Sequence, residues 1–150
     1  MTGMVDASVI GLALPPTRGR VEPGRLKFFL DTLGETNPVF RDPGAAQAAG
    51  FAGRPIPPTY LFCLEMLDND DRFALLDALK VDISRILHGE QKFVYRAPVY
   101  VGDELTFHSS VTDVQQKKGG ALTMIDVTTR VTNQRGEAVA DGVRVVVVRN

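Results

Sequence analysis

The sequence predicts an α+β domain in which a curved antiparallel sheet wraps around a central helix. Apolar residues recur with helical spacing in the first half of the chain and alternate with polar residues in the second half. This order of helices followed by antiparallel strands is typical of an α+β domain, in which one face of the helices packs on one face of the sheet. The segment Tyr60 to Leu67 is apolar nearly all round, so it needs more cover than a flat sheet offers.

Composition sets the class of protein. A chain of 150 residues with 44% hydrophobic and 23% charged residues fits one globular domain spanning residues 1–150. A net charge of -1 gives no broad basic surface for nucleic acid. No apolar run approaches the ~20 residues that a membrane span needs, and Met1 to Leu14 lacks the basic start of a signal peptide. The single cysteine, Cys63, lies in an apolar stretch, which favours a buried thiol and a reducing, cytoplasmic location.

Helix signals follow one another up to residue 79. After Glu22-Pro23-Gly24, the residues Leu26, Phe29, Leu30 and Leu33 fall at i, i+3, i+4 and i+7, and Gly34 is a plausible stop. Three more segments have helical character. They are a short helix at Ala45 to Ala49, the apolar helix that opens after Pro58-Thr59 and covers Tyr60 to Leu67, and an amphipathic helix at Asp70 to Leu79.

Strand signals fill the rest of the chain. In Glu104 to Thr112 polar and apolar residues alternate, which is typical of a half-buried strand. The other strand candidates are Ile86 to Ala97, Leu122 to Asn133 and Ala138 to Arg149. Glycine-bearing polar segments at 117–120 and 133–136 predict hairpin connections. Pro98 and Gly102-Asp103 interrupt the first long pair of strands, which suggests a bend or bulge in the sheet rather than a break.

Several short motifs, in order, resemble one known family. The run Pro-Val-Tyr-Val-Gly-Asp-Glu-Leu at 98–105, preceded by Gln91-Lys92-Phe93, is similar to the second strand pair of hotdog-fold (R)-specific enoyl-CoA hydratases and MaoC-like dehydratases. Segment 34–40, Gly-Glu-Thr-Asn-Pro-Val-Phe, resembles a degenerate form of their Gly-Asp-x-Asn-Pro-x-His motif. Segment 50–56 resembles the approach to that family's central helix, and segments 87–91 and 132–137 are similar to its N-terminal, FAS1-like dehydratase branch. The resemblance implies a hotdog fold and an acyl-thioester substrate.

Adding water across the double bond of an enoyl thioester needs a base for the water, an acid for C2 and donors for the thioester oxygen. In the resembled family an Asp and a His do the proton transfer. By position Glu35 matches the Asp and Phe40 matches the His, and a phenyl ring can neither accept nor donate a proton. Glu35 is also simply a carboxylate at a helix end, and Asn37 an ordinary turn starter. The resemblance assigns Asn37, Phe40 and Gln91 to substrate binding.

Two histidines are available to replace the missing one. His108 falls on the polar side of an alternating strand, which indicates a solvated surface residue. His88 lies just before Gly89 at the start of a strand, where Glu90 shares its side by alternation and is placed to orient it. His88 is therefore the candidate that would act with Glu35 as the catalytic pair.

Three functions remain open. One is a hydratase or dehydratase acting on CoA- or carrier-protein-bound acyl groups through Glu35 and His88. Another is a non-catalytic subunit that supplies an acyl or CoA pocket to a hotdog partner with an intact Asp and His, and the loss of the motif histidine favours this one. The third, an acyl-CoA thioesterase, is less supported because the motifs point to the dehydratase branch. The resemblance implies a homodimer or heterodimer and neither a cofactor nor a metal.

Overall fold

A computed structural model of the chain describes residues 3–150. Met1 and Thr2, which the one-domain prediction includes, lie outside them. The four helices are α1 (Pro23–Leu33), α2 (Pro43–Ala48), α3 (Tyr60–Leu67) and α4 (Ala74–Leu79). The five strands are β1 (Thr17–Arg20), β2 (Ile86–Tyr95), β3 (Glu104–Lys117), β4 (Leu122–Thr132) and β5 (Ala138–Arg149).

All five strands join one antiparallel sheet in the order β1-β3-β4-β5-β2. Strands β3, β4 and β5 form consecutive hairpins, with connections where the glycine-bearing segments predict them. β4 buries every second side chain through most of its length, so one face of the sheet is the inner face. This confirms the predicted α+β class and the hairpins.

Helix α3 lies against the inner face of the sheet, and its bounds are those that the sequence predicts. Tyr60, Leu61 and Leu64 are almost fully buried, and they pack in one cluster with Phe107 of β3 and Val131 of β4. The sheet and the neighbouring segments therefore give α3 the cover that its apolar surface needs. The predicted curved sheet around a central helix is confirmed.

Glycine allows β1 to pass close to α3. A Cβ atom at Gly19 would lie 3.0 Å from the main-chain oxygen of Leu64, so a larger residue would push the strand away from the helix. The sequence pattern does not predict β1. Further upstream, the chain extends the same edge of the sheet, because Leu14 N–H donates to Ser109 O and Val111 N–H donates to Leu12 O, each at 2.9 Å.

Helix α1 begins at Pro23 and ends before Gly34, which adopts a left-handed conformation with φ 70°. Its inner face consists of Leu26 and Leu30, but Leu33, which the helical spacing assigns to the same face, is 56% exposed. The helix predicted over Asp70 to Leu79 is shorter than expected, because only Ala74–Leu79 is helical.

Two sequence predictions are wrong, one about the segment between β2 and β3 and one about Cys63. Segment 98–103 is a break and not a bend, because β2 pairs with β5 whereas β3 pairs with β1 and β4. Segment 98–103 therefore connects β2, at one edge of the sheet, to β3, which lies next to the opposite edge strand β1. Cys63 is half-buried rather than buried, although its surroundings still exclude enough water to raise the pKa of its thiol.

Candidate functional site

The loop that follows α1 is held in shape by its own polar groups. The Glu35 carboxylate accepts a hydrogen bond from the Asn37 N–H at 2.8 Å, and the Asn37 side-chain oxygen accepts one from the Val39 N–H at 3.0 Å. The Arg41 guanidinium donates two hydrogen bonds to the Glu35 carbonyl, at 2.6 and 3.0 Å, and one to Asp31 at 2.8 Å. Glu35 thus serves as a half-buried turn cap in the structure.

The same loop turns Phe40 inward, where its half-buried ring packs against the core cluster of α1 and α3. One side of this ring forms part of a cavity of about 680 Å³, which we call the Phe40 cavity. Its wall comes from the loop after α1, the segment between α2 and α3, and the end of β2 with the residues after it. The wall residues are Asn37, Val39, Phe40, Ala49, Phe51, Pro55, Ile56, Pro58, Tyr95, Ala97, Pro98 and Val99.

The Phe40 cavity is apolar. Among residues 3–150, its wall contains a single ionisable side chain, the phenol of Tyr95. Burial raises the pKa of Tyr95 far above its usual range, so the phenol keeps its proton at physiological pH. Its hydroxyl donates a hydrogen bond to the Pro58 carbonyl, next to the start of α3. Tyr95 was not among the predicted site residues, and its signal in the sequence is an aromatic residue with a polar tip just before Ala97-Pro98.

His88 does not form part of the wall of this cavity. A β-bulge at Gly89 interrupts the pairing of β2 with β5 between His88 and Glu90. The exposed imidazole lies beside Phe62 of α3, with ring centroids 5.1 Å apart, and its Nε2 is 3.1 Å from the Glu90 carbonyl oxygen. Because a carbonyl only accepts, that contact is a hydrogen bond when Nε2 carries the proton. Six residues of strand lie between His88 and Tyr95, which puts their Cα atoms about 20 Å apart.

The carboxylate of Glu90 does not orient His88, contrary to the expectation from strand alternation. It pairs with Lys92 at 3.2 Å, and only the main-chain carbonyl of Glu90 contacts the imidazole. The bulge at Gly89 explains the difference, because an inserted residue disturbs the alternation from which a shared side was inferred. His108 is exposed, as expected.

Gln91 lies on the inner face of the sheet, away from the wall of the Phe40 cavity. It is paired across the strands with Arg144 of β5, and its side-chain oxygen is buried without a hydrogen-bond partner among residues 3–150. Of the five predicted site residues, the structure therefore brings Asn37 and Phe40 into one cavity wall, with Glu35 two residues away. His88 and Gln91 lie elsewhere along β2.

Metal-binding clusters and membrane-spanning helices are both absent from residues 3–150. No three or more His, Cys, Asp or Glu side chains in that range converge as metal ligands would. None of the helices in the described part of the chain is long and apolar enough to traverse a lipid bilayer.

Similarity to known proteins covers nearly the whole chain. A family model described as "FAS1-like, dehydratase domain region" matches residues 8–142. A UPF0336 protein of Streptomyces avermitilis is 35% identical over 147 residues, which are 97% of this chain and 95% of the relative.

Two solved structures with dehydratase or hydratase names share the fold. The C-terminally truncated HadBC (3R-hydroxyacyl-ACP dehydratase) complex of Mycobacterium tuberculosis superposes with a TM-score of 0.77 at 22% identity, over 95% of this chain and 99% of that one. The (R)-hydratase of A. caviae involved in PHA biosynthesis superposes with a TM-score of 0.71 at 22% identity, over 95% and 98%.

Proposed function

Because this chain belongs to the FAS1-like dehydratase domain family of hotdog-fold MaoC-like dehydratases and hydratases, we propose that it is the acyl-thioester-binding, non-catalytic subunit of an (R)-specific enoyl-thioester hydratase or 3-hydroxyacyl-thioester dehydratase. One observation carries this proposal. By the resemblance of segment 34–40 to the family's motif, Phe40 corresponds to the motif histidine. Phe40 also contributes to an apolar cavity whose only ionisable side chain within residues 3–150 is the protonated phenol of Tyr95.

The Phe40 cavity suits an acyl chain. Each methylene group that leaves water for such a wall gains about 0.8 kcal/mol, so a chain of a few carbons is held without any ionic contact. The two polar side chains in the wall are Asn37 and Tyr95, and both already hydrogen-bond the main chain of their surroundings. The cavity is therefore built to bind an apolar group rather than to move a proton.

The geometry argues against proton transfer by Glu35 and His88 within one chain. The Glu35 carboxylate is engaged with the N–H of Asn37, and His88 lies about 20 Å along β2 from the end that forms the cavity. An acid-base group must come within about 3 Å of the proton that it moves. We therefore do not assign the proton transfer to Glu35 and His88 acting within one chain.

The proposal therefore requires a partner subunit with an intact Asp and His. We propose a dimer, either of two copies or of this chain with a catalytic hotdog subunit, acting on an acyl group carried by CoA or by acyl carrier protein in the cytoplasm. HadBC, which shares the fold, is named as a complex and as a 3R-hydroxyacyl-ACP dehydratase. A free thiol at Cys63 fits a reducing compartment.

The decisive experiment measures crotonyl-CoA hydration by the purified chain, alone and with the product of a neighbouring gene that carries an intact Gly-Asp-x-Asn-Pro-x-His motif. We expect no turnover above background from the chain alone and turnover from the pair. In the pair, Glu35→Gln and His88→Ala should each change turnover by no more than a few-fold. Turnover by the chain alone that falls 100- to 10,000-fold in both variants, normalised to folded protein, would instead make it an enzyme.

A matched pair of variants tests the Phe40 cavity itself. Ala49→Asp places a carboxylate in its wall, whereas Ala48→Asp places one on the neighbouring exposed residue outside it. Because an apolar chain would have to pack against a charge, we expect Ala49→Asp to raise KM of the pair by about tenfold or more with kcat nearly unchanged. Ala48→Asp should behave like the unmodified chain, and equal effects of the two variants would place the acyl group elsewhere.

A further inference from the structure

Arg144 of β5 is an arginine with few partners. It lies on the inner face of the sheet, its side chain is 17% exposed, and its Nε is fully buried with no hydrogen-bond partner among residues 3–150. The ion-pair contact of its guanidinium is with Glu65 of α3, at 3.8 Å, which is too long for a hydrogen bond. A buried N–H without a hydrogen bond is costly, and the side chains of residues 3–150 provide no acceptor for the Nε–H of Arg144.

Other polar groups converge on the same place. The Ser109 hydroxyl of β3 lies 3.5 Å from the Glu65 carboxylate and 2.7 Å from the hydroxyl of Thr129 on β4. The hydroxyl of Thr17 on β1 is buried and, like the Arg144 Nε, has no partner within residues 3–150. Several elements of the fold therefore direct polar atoms toward one region at the C-terminal end of α3.

These groups surround a cavity. Thr17, Glu65, Ser109 and Arg144 all form part of a wall that encloses about 300 Å³, which we call the Arg144 cavity. At about 30 Å³ for each water molecule, the space corresponds to roughly ten waters or to a small organic molecule. Its rim includes Arg18 and Arg72 together with the acidic residues 68, 70 and 71, so the entrance is polar and charges of both signs are present there.

The two cavities lie at opposite ends of α3. The Phe40 cavity includes Pro58, just before the helix begins, and the Arg144 cavity includes Met66 and Asp68, where the helix ends. A chain bound in the first cavity has no access to the guanidinium except through the core between α3 and the sheet, where Leu61 and Leu64 are about 1% exposed. Any ligand of the Arg144 cavity is therefore different from the acyl chain proposed for the Phe40 cavity.

We propose that the Arg144 cavity is a second ligand site, which takes a small organic acid whose carboxylate accepts hydrogen bonds from the Arg144 guanidinium. A planar guanidinium matches a carboxylate better than any other side chain does. The hydroxyls of Thr17 and Ser109 provide donors for the remaining oxygen lone pairs or for a hydroxyl of the ligand. Burial raises the pKa of Glu65, which favours its neutral form and reduces repulsion of an acid beside it.

The test observes the Arg144 Nε–H directly. In ¹H–¹⁵N spectra of the full chain, the arginine Nε–H signals are followed while sodium acetate, sodium lactate or inorganic phosphate is added at constant ionic strength. The Arg144 signal is identified by its loss in Arg144→Lys and Arg144→Met. Methionine keeps much of the volume without the charge, and replacement of a buried charge by an apolar side chain is often neutral for stability.

We expect a saturable shift of the Arg144 signal with acetate or lactate. Arg144→Lys should weaken binding about tenfold or more, measured through the main-chain signals of neighbouring β3 and β5, and Arg144→Met should abolish it. Glu65→Gln should bind at least as tightly as the unmodified chain, since it fixes the side chain beside Arg144 in a neutral form. Arg130→Met is the matched control, because Arg130 is an exposed arginine of β4 outside the cavity wall, and it should leave the dissociation constant unchanged.

Three results would overturn the proposal. The first is the absence of any saturable shift of the Arg144 signal up to about 100 mM of either acid, which would mean that the cavity holds water only. The second is binding of phosphate without binding of the two carboxylates. The third is unchanged binding in Arg144→Met. Because the experiment needs neither a partner subunit nor turnover, its outcome is independent of the activity test at the Phe40 cavity.

Discussion

Burial beneath α3 raises the pKa of the Glu65 carboxyl, and the nearby Arg144 guanidinium and Ser109 hydroxyl only partly offset this effect. A carboxyl whose pKa is higher in the folded than in the unfolded state favours folding most at acidic pH. Its contribution is fully present below the unfolded pKa of about 4.3 and is lost as the pH rises through the folded pKa. Glu65 is therefore a source of instability at neutral pH.

Glu65→Gln imitates the neutral acid and removes this dependence. We expect the variant to be more stable than the unmodified chain at pH 7.5, and the difference in unfolding free energy should shrink toward zero as the pH falls to about 4.3. Urea unfolding of both proteins between pH 4 and 8 measures the difference. A variant that is less stable than the unmodified chain at pH 7.5 would show that the charge of Arg144 outweighs the burial of Glu65.

At the scale of single residues, the sequence predicts one cavity well and the other poorly. Asn37 and Phe40 are close together in the chain and carry a recognisable motif, so the sequence alone indicates a shared role for them. Glu65 and Arg144 are 79 residues apart, and each looks like an isolated charge in an apolar segment. Only the packing of α3 on β5 shows that the two charges meet.

At the scale of a single element, the β-bulge in β2 is the feature whose alteration should most clearly change the free energy of unfolding. A Cβ atom at Gly89 would lie 2.8 Å from the Cγ2 of Val147 and 3.4 Å from the carbonyl oxygen of Val145, both on the neighbouring strand β5. Valine is stiff at χ1, so its methyl group cannot easily turn away. Glycine at this position allows β2 to lie close to β5 through the bulge.

We expect Gly89→Ala to lower the free energy of unfolding by about 1–3 kcal/mol, the range for overpacking of a well-packed site. Gly24→Ala is the matched control, since no atom lies within 4 Å of its added Cβ and alanine is the better helix former in α1. Chemical unfolding of both variants gives the comparison. Equal stability of Gly89→Ala and the unmodified chain would mean that β2 shifts freely at the bulge.

The elements that the sequence predicts best are those with strong local patterns. The bounds predicted for α3 and β5 agree with the structure because each is a continuous run of apolar or alternating residues. The sequence does not predict β1, because its four residues, Thr17–Arg20, are too few to show an alternating pattern. They form a strand only through pairing with β3. The sequence predicts a bend at 98–103, where the structure has a break, because β2 and β3 adjoin in sequence but not in the sheet.

At the scale of the whole molecule, strands β1 and β2 form the two edges of the sheet. An edge strand presents unpaired N–H and C=O groups, which natural proteins cover or pair. β2 is the longer edge, with 10 residues, and its Leu87 and Val94 side chains are more than half exposed. This edge is where we expect the proposed dimer to form.

Sedimentation of the chain, alone and with its partner, should give a dimer at micromolar concentration. Val94→Asp places a charge on the β2 edge, where two copies would bring like charges together, so we expect it to weaken self-association about tenfold or more. Ile10→Asp is the matched control, because Ile10 is 45% exposed and adjoins the opposite edge of the sheet. Similar weakening by both changes, or a stable monomer without any change, would exclude pairing through β2.

The position of β2 in the sheet also has a consequence for protein synthesis. β2 pairs with one strand, β5, and β5 is made about 50 residues later on the ribosome. At about 5–20 residues per second, β5 is completed several seconds after β2, and only then can β2 join the sheet. The nascent chain therefore keeps one edge of its sheet incomplete until β5 is made, although α3 can already pack on β3 and β4.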